Sequence, residues 1–159
     1  MATRKPRMDS IDIKIKGGVT TIDKVDLDLF NESHWYIGVN GYVTRDIPTR
    51  CYFHRLVMDF PEKNVDHCNG IRHDNRRSNL RVCTQSQNTA NSGKRKTNKS
   101  GYKGVSIDRR NPNFKWVANL TKDYKHIYIG AFRTPKEAAI AYNIKALEEF
   151  GEFALLNKI

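Results

Sequence analysis

The sequence predicts an α+β chain: a β-rich N-terminal part, then a small three-stranded antiparallel sheet packed on one helix. Three observations carry that prediction. Apolar residues alternate with polar ones at Ile11, Ile13 and Ile15 and again around Asn40-Gly41, and a period of two is the mark of half-buried strands. Three more alternating stretches, YKGVSIDRR, FKWVANLTK and KHIYIGAF, follow one another between residues 102 and 132. A capped helix then starts at Thr134-Pro135-Lys136-Glu137 and spaces Ala139, Tyr142, Ala146 and Phe150 along one face.

Taken in order, residues 1–10 form a basic arm (Arg4, Lys5, Arg7) expected to be disordered. Ile11–Asp23 is a strand with Gly17-Gly18 as its hairpin turn, and Lys24–Trp35 is a short helix. Asn40-Gly41 marks a second hairpin, because this pair accepts the positive φ that tight hairpin turns demand. Cys51–Phe60 is apolar enough to be buried, with strand and helix both compatible, and Pro61 is expected to end it. From Val65 to Asn91 the chain turns polar. Leu80 and Val82 alternate with Arg81 and Cys83 as a short strand, and Thr84 and Gln87 form a capping box for a helix that carries Asn88. That stretch therefore reads strand, loop, strand, helix.

The segment NSGKRKTNKSG carries four cations (Lys94, Arg95, Lys96, Lys99), no acid and no apolar residue. It cannot pack by itself, so 93–100 is expected to be a linker between an N-terminal part, 11–92, and a C-terminal module, 101–159. Its charge suits tracking a phosphate backbone. In the module, Trp116, Ala118 and Leu120 share one face with Ile127 and Ile129, small alanines bring the helix close, and Gly151 stops it. The other sheet face shows Asn119, Thr121, His126 and Tyr128, with Arg109 and Arg110 at a turn. Such a face is either a groove reader or the ordinary wet side of an antiparallel sheet.

Charge narrows the partner. The 159 residues include 28 Lys and Arg against 17 Asp and Glu, a formal net charge of +11 with a pI near 9.7. That field favours a polyanion, nucleic acid first. Hydrophobic content of 38% implies small cores. No apolar run approaches the roughly 20 residues of a membrane span, and no signal-peptide segment follows the basic start, so an intracellular, cytoplasmic protein is expected. Cys51, Cys68 and Cys83 are odd in number, far apart and without a CxxC pair, so neither a disulfide framework nor a zinc site is expected. In this basic setting Asp66 and His67 stand side by side just before an Asn69-Gly70 turn. A surface loop produces such a pair by chance, whereas metal-dependent cleavage of a phosphodiester requires one.

FHRLVMDFP, VDHCNG and DNRRSNLRVCTQSQN together resemble the HNH nucleases of the homing-endonuclease type. GYKGVSIDRR, KWVANL and HIYIGAFRTPKEAAIAYNIKALEEFGEFALLN resemble the ethylene-response-factor type DNA-binding domain of plants and phages. Together they cover roughly 51–157. The first resemblance implies a ββα-metal motif over 51–92, in which Asp66 binds a divalent metal, His67 is the general base, Asn79 braces the two strands and helps hold the base, and Asn88 is the second metal ligand. Asn88 stands where a His is often found. His73 is a rival base and Cys68 stands beside the base. His54 reads as buried support. Mg²⁺ suits oxygen ligands such as Asp66 and the Asn88 amide, with Mn²⁺ as a substitute. Arg76, Arg77 and Arg81 are expected to contact phosphates, which position without specifying sequence.

The second resemblance places the sheet in the major groove, with Lys103, Asn119 and Tyr128 at contact positions. Ser106, Asp108 and Thr121 stand where the plant proteins carry arginines, so the fold should transfer and the plant target sequence should not. Asp108 either reads a cytosine or braces Arg109 or Arg110. Neighbours on a regular strand point to opposite faces, so Asp66 and His67 serve one site only where the strand ends or bulges.

These readings converge on a site-specific, sequence-tolerant DNA endonuclease of homing type, phage-encoded. With one Asp-His-Asn-Asn set and its apolar positions used by two small cores, the chain is expected to nick one strand of double-stranded DNA as a monomer with no protein partner. The rivals are a non-catalytic DNA-binding regulator with a relic nuclease motif and an RNA or structure-specific nuclease.

Overall fold

The computed structural model describes residues 9–110, 113 and 115–159. Positions 1–8 of the expected arm lie outside the described residues, and Ser10 already opens the first strand. The chain divides into two compact units, Met1–Cys83 and Thr84–Ile159. Each mixes helix with antiparallel strands, so the α+β class holds. The division falls before the helix that carries Asn88, not in the basic stretch behind it.

In the first unit, β1 (Ser10–Ile15) and β2 (Gly18–Asp23) pair from Ser10↔Asp23 to Ile15↔Gly18. The turn is Lys16-Gly17, one residue earlier than expected. A 3-10 turn (Lys24–Asp26) and α1 (Leu27–Asn31) supply the helix anticipated over 24–35. β3 (Tyr36–Ile37), β4 (Val43–Arg45) and β5 (Cys51–Tyr52) form a sheet in that order, with Asn40-Gly41 inside the first hairpin. The ambiguous stretch is both strand and helix, since β5 runs straight into α2 (Phe53–Val57). Pro61 does not end it. Asp59 and Phe60 take φ of 56° and 48°, and the Phe60 amide turns back to the Arg55 carbonyl at 2.8 Å. That bond satisfies a helix-end carbonyl and closes the helix before the proline is reached.

The core of this unit gathers around Phe53, fully buried and 5.0 Å from the rings of both Phe30 and Trp35 in edge-on geometry. Ile22, Val43 and Leu80 complete it. β6 (Asn64–His67) and β7 (Leu80–Cys83) form the last hairpin, in register from Asn64↔Cys83 to His67↔Leu80. The long loop between them is tied to β2, because Asn75 N donates to Thr21 O at 2.8 Å and Thr21 N to His73 O at 3.2 Å.

The second unit begins with α3 (Gln85–Asn91), whose capping box forms as the sequence implies. Gln87 N donates to Thr84 Oγ1 at 3.2 Å, and Thr84 N donates to Gln87 Oε1 at 2.8 Å. β8 (Val105–Ile107), β9 (Trp116–Lys122) and β10 (Lys125–Phe132) make a sheet in the order β10-β9-β8. α4 (Pro135–Phe150) packs on it through Ala138, Ala139, Tyr142 and Ala146, all buried against Ala118 and Leu120. The basic stretch is pinned within this unit: Asn98 Nδ2 donates to Tyr102 O at 2.8 Å and Ser100 Oγ to Val105 O at 2.9 Å. Ala90 of α3 belongs to the same core, and its carbonyl accepts from Leu155 N at 3.1 Å.

The expectation that apolar positions are exhausted by two cores fails on α4. Ile140, Ile144 and Leu147, spaced along one helical face, are 43%, 66% and 55% exposed. Among the described residues, no helix is long and apolar enough to cross a membrane.

Candidate active site

The site residues of the first unit sit where β6 ends. Asp66 and His67 are both buried, at 6% and 3% exposure. As strand neighbours they meet different surroundings. Asp66 faces its cross-strand partner Arg81, which donates to Oδ2 from Nη2 at 2.9 Å and from Nε at 3.1 Å. His67 lies among Tyr42, His54 and Asn75, with its ring centroid 5.1 Å from that of His54 and 5.8 Å from that of Tyr42. The strand terminates at His67. Gly70, at φ 73°, then turns the chain, and its amide donates to His67 O at 2.8 Å.

Asn79 braces that turn. Its Oδ1 accepts from Asn69 N at 3.0 Å and its Nδ2 donates to Asp74 O at 2.8 Å. The amide that meets His67 is a different one: Asn75 Oδ1 lies 3.3 Å from His67 Nε2. Asn79 therefore fixes the loop, and Asn75 contacts the His67 ring. Sequence reading missed Asn75 because nothing local distinguishes it from the other asparagines of this polar stretch. The weak available signal was Thr20, a polar residue beside Ile22 in a strand that faces the core.

Burial pushes the His67 imidazole below its ordinary value, partly offset by the bond to Asn75 and the charge of Asp66. An imidazole kept neutral in this way can accept a proton. His54 is 6% exposed, and burial lowers it to about 3. Its Nδ1 has no hydrogen-bond partner among the described residues. The unfolded chain, titrating near 6.5, binds the proton more readily than the folded one. Stability from this residue is full above that value and falls as pH drops toward about 3, with a slope approaching about 1.4 kcal/mol per pH unit. Urea unfolding at a series of pH values is expected to show that loss, and His54→Phe should flatten it.

Arg76 and Arg77 of the loop are engaged in ion pairs. Arg76 pairs with Asp74 at 2.6 Å and Arg77 with the buried Asp26 at 2.6 Å. The Arg77 amide also donates to Asp23 Oδ2 at 2.8 Å. Arg77 thus clamps the loop to Asp26, the last residue of the 3-10 turn, 51 residues earlier. His73 and Cys68 are exposed. Among the described residues no three His, Cys, Asp or Glu side chains gather as a metal-binding group. A magnesium site that draws one carboxylate and one amide oxygen from protein, with water and phosphate supplying the rest, needs no such group.

Asn88 lies in the second unit, half-buried in the first turns of α3. In the same unit Asn119 faces Tyr128 and Thr121 faces His126 across β9 and β10, so the polar sheet face forms as read. A groove of about 460 Å³ brings Lys94, Arg95, Lys103, Asn119 and His126 around one open depression. Lys103 is half-buried there: its ammonium donates to the carbonyls of Thr89, at 3.3 Å, and Ala90, and burial lowers it to about 8. Lys96, Lys99 and Arg109 are exposed. Asp108 braces Arg110, at 2.9 Å, and that guanidinium holds the Asp108 carboxyl below its ordinary range.

The HNH endonuclease family model matches residues 51–90, from the start of β5 into the last turn of α3. An uncharacterized HNH endonuclease of Acanthamoeba polyphaga mimivirus is 33% identical over 154 residues, covering 89% of this chain and 78% of that protein. An AP2-like ethylene-responsive transcription factor of Arabidopsis thaliana is 38% identical over 60 residues, 36% of this chain and 17% of that protein. A second ethylene-responsive transcription factor of Arabidopsis thaliana is 45% identical over 58 residues, 35% of this chain and 30% of that protein. No solved structure matches significantly.

Proposed function

The chain belongs to the HNH endonuclease family, and on that premise we propose that it is a homing-type DNA endonuclease with a ββα-metal site that nicks one strand as a monomer. The observation that carries the reading is the end of β6, where adjacent residues supply a buried carboxylate and a buried neutral imidazole. His67 takes the proton from the attacking water. Asp66 and the amide oxygen of Asn88 are hard oxygen donors and would hold Mg²⁺, or Mn²⁺ in its place. When bound, the ion offsets charge on the phosphate and the leaving oxygen. Arg81 is the counterion of Asp66 and must share that carboxylate with the metal.

The second unit is proposed to be an ethylene-response-factor type DNA reader, supported by the partial similarity to the two plant factors. Asn119, His126 and Tyr128 would face the bases, while Lys94, Arg95, Lys96, Lys99, Arg109 and Arg110 neutralise phosphates. Arg76 and Arg77 reach phosphate from the loop of the first unit. The mimivirus relative supports a virus-borne gene; the proposal includes action in the cytoplasm of the infected cell.

A test follows from there being one Asp-His-Asn-Asn set per chain. With Mg²⁺, supercoiled plasmid carrying the target should become open circle well before linear product appears, and the break should map to one strand on a denaturing gel. Linear product formed at once, at a rate rising with the square of protein concentration, would point instead to a dimer, for which the apolar stripe on α4 is the available surface. The Asp66–Arg81 pair favours a second reading, a DNA-binding protein with a relic site, because it already occupies the carboxylate. In that case DNA is bound and the plasmid stays supercoiled with or without Mg²⁺.

A further inference from the structure

Behind His67 lies a closed chain of polar groups that begins in β2. Thr20 and Asn75 are both 0% exposed. Thr20 Oγ1 donates to His73 O at 2.8 Å. A hydroxyl has one proton, so toward Asn75 it acts as an acceptor. Only Nδ2 of Asn75 can donate to it, and the two lie 3.1 Å apart. That bond orients the amide and turns Oδ1 toward His67 Nε2, 3.3 Å away. A carboxamide oxygen carries no proton, so the proton of this contact belongs to Nε2, and in the neutral ring the lone pair is on Nδ1. The reverse amide orientation sets an NH₂ against Nε2 and pulls the Thr20 proton away from His73 O. The backbone holds the arrangement, since Asn75 N donates to Thr21 O at 2.8 Å.

We propose that Asn75, oriented by Thr20, is a positioning residue that sets the tautomer of His67 and so directs Nδ1 at the attacking water. The inference rests on His67 being the general base. In the step it serves, one water O–H bond breaks and its proton joins the Nδ1 lone pair, leaving an imidazolium whose Nε2–H still bonds Asn75. The water oxygen forms the new bond to phosphorus. The bond from phosphorus to the leaving sugar oxygen breaks, and that oxygen takes a proton from solvent.

The test uses full-length protein labelled with ¹⁵N-histidine, in long-range ¹H–¹⁵N correlation spectra at about pH 8, where neutral imidazole predominates. The signal of His67 is identified by its loss in His67→Gln. Wild type should show the Nε2–H pattern, and Thr20→Ser, which keeps the hydroxyl, should retain it. Asn75→Leu and Thr20→Val should each give a mixture of tautomers, with kcat reduced about tenfold or more and KM for DNA within about twofold. Thr20→Val is nearly isosteric and answers the question if Asn75→Leu does not fold. An Nδ1–H pattern in wild type, or an unchanged tautomer and kcat in folded Thr20→Val, overturns the inference. Full cleavage by His67→Ala would instead overturn the base assignment beneath it.

Discussion

Cleavage by His67→Ala should fall by about 10²–10⁴-fold, the usual contribution of a general base, while affinity for DNA stays within a few-fold. The two effects are expected to separate because a net charge of +11 favours affinity through phosphate contacts spread over the surface. His67 is buried and adds nothing to that field. Asp66→Asn is expected to match it in lost cleavage. It keeps the shape beside Arg81, whereas alanine would remove the carboxylate from beside a guanidinium that is only 14% exposed and cost stability as well. Gel-shift and plasmid-nicking assays on the same preparations check both halves. Undiminished cutting by His67→Ala would move the base to His73. Lost binding with a lowered melting temperature would give His67 a structural role instead.

Gly104→Ala is expected to destabilise the second unit by about 3 kcal/mol or more. Gly104 has φ 73°, in the region where an L side chain is strained. The added Cβ would lie 2.1 Å from two carbons of the Tyr142 ring and 2.8 Å from the Asn119 carbonyl. Neither neighbour can retreat. Tyr142 is buried in the centre of its core, and Asn119 N donates to Gly104 O at 2.9 Å, which holds the two backbones together. Strain and overpacking therefore add. Calorimetry should show one transition shifted strongly downward and DNA affinity reduced, because the strand displaced is the one next to the polar sheet face. A stability within about 0.5 kcal/mol of wild type would refute the account.

Several features were legible because their causes are local. Alternation at Ile11, Ile13 and Ile15 gave β1, Thr84 and Gln87 gave the start of α3, and Thr134, Pro135 and Gly151 bounded α4. Each rests on groups within four residues or on a simple period, so the chain shows them before it folds. The pairing of Asp66 with His67 at a strand end was also readable, from the Asn69-Gly70 turn. Cys51–Phe60 was not, because a two-residue strand passing into a five-residue helix is too short for any period to register.

Tertiary structure alone decided what holds His67 and where the chain divides. Thr20 meets Asn75 across 55 residues and Arg77 meets Asp26 across 51. No pattern within one element foretells such partners; they are chosen when β2 and the loop behind His67 pack together and their buried polar groups must find one another. The helix carrying Asn88 looked by sequence like the end of the nuclease motif. It folds with the C-terminal unit because Ala90 is buried in that core and its carbonyl is bonded by Leu155. A short helix has no core of its own, so its allegiance is set by whichever apolar surface buries it.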